Sequence, residues 1–351
     1  MTFAGALVAS QVTGQVTKQI TRRVTDQITP LRLLAALVTV AVEMVSPRAA
    51  DAQAKFPERP VRIIVPFSAG SVADMTTRMV GEKLGTKLGQ RFVVENMPGG
   101  AGAPAARATL AAPADGYTIT LFTNATAISV PLLKHLPFDP LKDFAPISSI
   151  GYSDCVFVTN AAAPYKTLGD FLAAARAKPG TLNIGTINVG STQNLSAELL
   201  KVLAGANVVV IPFRTSPEAV AALMRNDVQM VVDFPTVLKA GLADHKLRPV
   251  AATGPMSAKT LGVPAVADAG VPGYEVKSWN ALYAPVAMPS ADIDVLNVAL
   301  REVLADTDLR KKAAALGMET RGGSAAEIDA QMRGDIEKWS KLITKVKIPK
   351  Q

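Results

Sequence analysis

The chain has one cysteine and two histidines in 351 residues. A single cysteine, Cys155, excludes an intrachain disulfide and any multi-cysteine metal site. In the strand-like CVFVTN it reads as a small buried hydrophobe. His135 in PLLKHLPFDP and His245 in ADHKL each stand beside a lysine in polar surroundings, the setting of ordinary surface histidines. Aromatic residues are 5% of the chain, and no basic block is interleaved with them despite a net charge of +8. Nucleic acid is therefore not an expected partner. Several motifs are missing too. Gly151-Tyr152-Ser153-Asp154-Cys155 fails the G-x-S-x-G pattern at its last position, and no H-E-x-x-H, EF-hand or G-x-G-x-x-G occurs. The stretch from Gly185 to Thr192 has P-loop spacing, but Ser191 stands where the lysine must be. No catalytic set, metal or cofactor is expected, and binding is favoured over catalysis.

What is present is an apolar content of 49%, enough for a real core, in a chain long enough for two ordinary domains. Residues 1–54 read as an address rather than fold. Arg22, Arg23 and Arg32 precede the uncharged run Leu33–Val42, which is too short for a membrane span. Ala52-Gln53-Ala54 fits the small-x-small rule, so export to a periplasm with cleavage after Ala54 is expected.

The chain is organised around residues 61–102. A continuous apolar strand, Val61 to Pro66, leads through the small-residue turn Phe67-Ser68-Ala69-Gly70-Ser71 into a helix carrying Met75, Met79, Val80 and Leu84 on one face. A second strand, Arg91 to Glu95, completes a βαβ unit. Ala103–Leu110 reads as a helix and Tyr117–Phe122 as a strand that exits through Thr123-Asn124-Ala125-Thr126. From 154 onward the grammar repeats. Thr167 caps a helix to Ala177, and strands at 181–186, 208–212, 228–232 and 247–253 alternate with helices. Such alternation predicts an α/β architecture of mostly parallel sheets with helices on both faces. The extended segment 271–289 is expected to cross back to the first domain. Three helical stretches end the chain, the last with Ile328, Met332, Ile336, Trp339, Ile343 and Val346 on one stripe. The expected domains are 55–153 plus 276–351, discontinuous, and 154–275, with a two-strand hinge and a cleft that closes on a ligand.

In such sheets ligands bind beyond the carboxyl ends of the strands, where helix N-termini present free N–H groups. The candidate site residues are Phe67, Ser68, Ala69, Gly70, Ser71 and Asp74 at the first exit, and Thr123, Asn124 and Thr126 at the next. In the second domain they are Asn188, Gly190, Ser191 and Thr192, then Arg214 and Thr215, then Asp233. Each alone also suits a cap or turn. Asp233 has two readings: a cap near Pro235-Thr236, or an acceptor for a donor group on the ligand.

The same stretches resemble the periplasmic solute-binding receptors of tripartite tricarboxylate transporters, the Bug receptors. FPERPVRIIVPFSAGSVAD (56–74), VVENMPGGAG (93–102), LPFDPLKDFAPIS (136–148), KPGTLNIGT (178–186), DVQMVVD (227–233) and GVPGYEVKSWNALYAPVAMP (270–289) carry the resemblance. It implies a type II periplasmic binding fold of two α/β domains, a small carboxylate in the cleft, and delivery to membrane permease subunits without catalysis. A monomer is expected. A carboxylate sensor that signals to a membrane kinase would use the same fold. Ser71 stands where the family usually has a second glycine, Asn194 lies near a usual histidine, and Arg214-Thr215 replace a common lysine-glycine pair. These departures bear on ligand identity.

Overall fold

The computed structural model describes residues 56–351; the leader reading, with cleavage after Ala54, lies outside them. Two five-stranded sheets with flanking helices form two lobes. The first lobe opens with β1 (Val61–Val65), α1 (Val72–Leu88), β2 (Phe92–Asn96), a short 3-10 turn, α2 (Ala103–Leu110), β3 (Thr118–Thr123), α3 (Asn124–Leu132) and β4 (Phe144–Ser153). The chain then builds the second sheet. It runs through β5 (Val156–Asn160), α4 (Leu168–Ala177), β6 (Asn183–Ile187), α5 (Thr192–Ala204), β7 (Val209–Phe213), α6 (Ser216–Met224), β8 (Met230–Asp233), α7 (Pro235–Ala243), β9 (Leu247–Ala252) and α8 (Pro255–Leu261). It returns through β10 (Ser278–Pro285) and ends with α9 (Ser290–Val303), α10 (Thr307–Ala315) and α11 (Ala325–Lys345).

The first sheet has the order β2-β1-β3-β10-β4 and the second β7-β6-β8-β5-β9. Contrary to the expectation of mostly parallel sheets, only half of the pairings are parallel. β1 pairs parallel with β2 and β3, and β6 with β7 and β8. The pairings of β10 with β3 and β4, and of β5 with β8 and β9, are antiparallel. The reason is the crossing. β3 and β8 end at the cleft, whereas β5 and β10 begin there, each having just arrived from the other lobe. A strand that begins at the cleft must run away from it, against its neighbours. The register shows this directly: Asn280 near the start of β10 faces Thr123 at the end of β3, and Val156 at the start of β5 faces Asp233 at the end of β8.

The helix α3 is not legible from its residues NATAISVPL because the polar Asn124, Thr126 and Ser129 are interspersed with the apolar ones and Pro131 lies within it. Its buried side carries Asn124, Thr126 and Ser129 beside Ala127, Ile128 and Leu132, so no apolar stripe marks it. In the last helix Ile328, Met332, Trp339 and Ile343 are buried, with Ile336 and Val346 packed against the same cluster. That cluster is continuous through both lobes: Phe122, Ile128 and Leu132 belong to it with Phe157, Leu195 and Tyr274. Cys155 lies at the first crossing, 1% exposed, and burial pushes its thiol well above the ordinary value. His135 and His245 are both exposed.

Candidate cleft site

Four helices begin around one cavity of about 340 Å³ between the lobes. Val72 and Ala73 open α1, Asn124 and Ala125 open α3, Thr192 and Gln193 open α5, and Thr236 and Val237 lie in the first turn of α7; all line the cavity. The first N–H groups of a helix have no intrahelical acceptor, and the dipole there favours an anion. None of the lining side chains is ionisable. Apolar walls come from Phe67, Ile187, Phe234 and Leu316, which exclude water and strengthen any hydrogen bond made inside.

The loops before α1 and α5 are built alike. Ser71 caps α1, its Oγ accepting the Asp74 N–H, and Asp74 Oδ2 accepts the Gly70 N–H at 2.8 Å. Ser191 caps α5, its Oγ accepting the Asn194 N–H, and Asn194 Oδ1 accepts the Gly190 N–H at 3.0 Å. Ser71 N–H donates to Ser68 O, and Ser191 N–H to Asn188 O. Gly70 at φ +81° and Gly190 at φ +78° supply the left-handed corner in each. One turn geometry thus faces the cavity from both lobes, once with a carboxylate behind it and once with an amide. Asp74 is buried, and Arg78 and Asn96 hold its Oδ1 at 3.0 and 2.8 Å. Burial works to raise the pKa of this carboxyl. The bonds from Arg78, Asn96 and the Gly70 N–H outweigh it and keep the group below the usual carboxylate range.

Of the expected residues, Phe67, Ser71, Thr123, Asn124, Ser191 and Thr192 line the cavity. Ser68, Ala69, Gly70 and Asp74, with Asn188 and Gly190, do not line it but belong to the two loops that flank it. Thr126 is spent on the capping box of α3, where its hydroxyl accepts the Thr123 N–H. Arg214 and Thr215 are not brought to the cavity. Arg214 is exposed, its N–H donating to Glu218, and Thr215 caps α6. Both follow β7, the outer strand of its sheet, whereas the second lobe meets the cavity at the ends of β6 and β8, through Ile187 and Phe234. Asp233 does not line the cavity either. It is 1% exposed, and its Oδ1 accepts the Phe234 N–H at 2.8 Å and Gln193 Nε2 at 2.9 Å. It reaches Phe234 rather than Thr236.

Ser153, Gln193, Ser278, Asn280 and the turn 316–318 also line the cavity and were not anticipated. Ser153 ends β4, and Ser278 and Asn280 begin β10, so the crossing itself forms the cavity floor. The signal was available: a strand that crosses between lobes must start at the cleft. One polar chain spans the lobes. Asn124 Nδ2 donates to Thr192 Oγ1 at 2.7 Å, and Ser278 Oγ donates to Asn124 Oδ1 at 3.1 Å.

Comparison with known proteins gives one consistent picture. Protein BugT of Bordetella pertussis is 29% identical over 318 residues, 89% of this chain and 96% of BugT. The structure of R. palustris Rpa4515 with adipate superposes with a TM-score of 0.69 at 30% identity, covering 82% of this chain and 97% of that one. MatC (Rpa3494) from Rhodopseudomonas palustris with bound malate gives 0.65 at 26% identity, covering 82% and 100%. The structure of periplasmic binding protein BugD gives 0.68 at 25%, covering 84% and 100%. The family model described as "Tripartite tricarboxylate transporter family receptor" matches residues 76–348, and with that match over most of the described chain the protein belongs to this receptor family of two-lobed α/β solute-binding proteins.

Proposed function

We propose that the protein is a periplasmic receptor that captures a small carboxylate in the cleft and hands it to the membrane permease subunits of a tripartite tricarboxylate-type transporter. The observation that carries the reading is the pair of matched loops before α1 and α5, which aim helix N-termini into one uncharged cavity from opposite lobes. Hydrogen bonds from such N–H groups to a charged acceptor contribute about 1.5–3 kcal/mol each. A few of them suffice for micromolar binding, about −8.2 kcal/mol, after association costs. The adipate and malate held by the two R. palustris relatives support the ligand class. A lining without an ionisable side chain offers no general acid or base, which favours binding without turnover. The lobes 55–153 plus 276–351 and 154–275 are taken as the bodies that close, and export with cleavage after Ala54 completes the reading. Calorimetry with a panel of monocarboxylates and C4 to C6 dicarboxylates tests it. At least one acid should bind with micromolar or tighter affinity and return unchanged from the complex. Failure of every acid at millimolar concentration would sink the reading.

A further inference from the structure

We propose that Gln193, held in place by Asp233, presents a hydrogen-bond acceptor to the cavity and so selects carboxylates that also carry a hydroxyl or ammonium group. This rests on the carboxylate-receptor reading above and narrows it. Asp233 Oδ1 accepts the Phe234 backbone N–H, so it is an accepting oxygen. The same oxygen meets the Gln193 carboxamide at 2.9 Å. Against an acceptor the amide must turn its NH₂, which fixes its orientation on chemical grounds. Asp233 Oδ2 is buried without a partner, so acceptor capacity is in excess here and turning the amide over would only worsen it. The carbonyl end, Oε1, is therefore directed away from Asp233. Among the described residues no donor bonds it, and it is not among the buried unpartnered atoms, so it keeps some accessible surface on a side chain that lines the cavity.

Two of the neighbouring polar side chains are already committed. Both ends of the Asn124 amide are engaged, and Ser191 Oγ donates to Ile187 O while accepting the Asn194 N–H. What remains for a ligand includes N–H donors at helix starts, which suit carboxylate oxygens, the Ser153 and Thr236 hydroxyls, the Asn280 carbonyl, and the Gln193 Oε1, an acceptor whose orientation a buried carboxylate fixes. A plain dicarboxylate would leave Oε1 unpaired or facing a carboxylate oxygen. A hydroxyl or ammonium group would pair it. Sites built around a buried polar partner discriminate strongly against analogues that lack the matching group.

The test compares matched acids by calorimetry on the purified mature protein: succinate with 2-hydroxysuccinate and 2-aminosuccinate, and adipate with 2-hydroxyadipate. The wild-type protein should bind the donor-bearing member of at least one pair about tenfold more tightly, as one net hydrogen bond supplies. In Gln193→Met, which keeps length and loses the amide, that ratio should fall toward one. Circular dichroism and melting of the variant establish that it is folded. Equal wild-type affinities within every pair overturn the selectivity and leave the carboxylate reading standing. A preference that survives intact in folded Gln193→Met overturns the role of Gln193. If no acid binds at all, the receptor reading fails first and this inference with it.

Discussion

Gly190 and Asp74 show what single residues contribute to the cleft. A Cβ at Gly190 would overlap Leu132 of α3, across the cleft in the other lobe, and φ there is +78°. Gly190→Ala should therefore destabilise the closed arrangement by about 1–3 kcal/mol and weaken ligand binding. Gly205→Ala is the control, since it shares a left-handed φ but has open space around it. It should lower the melting temperature and leave affinity unchanged. Equal loss of affinity in both would show that backbone strain alone is responsible. Asp74 carries a pH signature. Its pKa is depressed in the fold, so its contribution is full above the unfolded value of about 3.9 and is lost as pH falls through the folded value. Asp74→Asn should lower the melting temperature steadily from pH 7 to pH 5, and the gap to wild type should close below about pH 4. A gap independent of pH would mean that shape, not charge, is at stake. The sequence showed these residues as turn formers because glycine and serine mark turns by themselves. It could not show Leu132 facing Gly190, since that contact joins positions 58 residues apart on different lobes (132 to 190).

At the level of the element, the two cap loops are chemically unequal although they share a geometry. Asn194→Asp would place a carboxylate behind the α5 loop, matching Asp74 in the α1 loop, but with no Arg78 counterpart among the bonds that Asn194 makes. An uncompensated negative charge beneath a helix N-terminus opposes an anion at that terminus. Carboxylate affinity should drop several-fold, and the drop should shrink as salt is raised. Unchanged affinity at low salt would detach the α5 terminus from anion binding. Most elements were legible from pattern alone. The helix at Ala103–Leu110 and the cap at Thr167 match their reading, because both rest on local chemistry. The helix α3 and the antiparallel strands were hidden for different reasons. In α3 polar residues are buried among the apolar ones, so no stripe stands out, and strand direction depends on which lobe the chain has just left. Arg214 belongs with these, since nothing local says that its strand is the sheet edge.

For the molecule as a whole, the bond from Asn124 to Thr192 and the crossing strands tie the two lobes together at the cleft. Ligand binding should reduce the radius of gyration slightly and raise the melting temperature, with about 2.7 kcal/mol of stabilisation at a hundredfold excess over Kd. Thr192→Val keeps the shape and removes the hydroxyl, so the ligand-free variant should be larger in small-angle scattering than ligand-free wild type. Identical scattering curves would show that the bond does not hold the lobes together. This connection between the lobes was only half visible in sequence. The extended segment 271–289 announced a return crossing, but the placement of Ser278 and Asn280 on the cavity floor follows from register, which pairs Asn280 with Thr123.

The burial of Cys155 gives the protein a practical property. Thiol reagents need an accessible thiolate, and this group is both sealed and held in its protonated form. A cysteine introduced at Val237, which lies on the cleft wall and is 46% exposed, could then carry a fluorescent dye as the sole labelled position, without first removing the native thiol. The receptor would become an optical sensor for its own ligand. Slow labelling of Cys155 itself would count the moments when the crossing between the lobes comes apart.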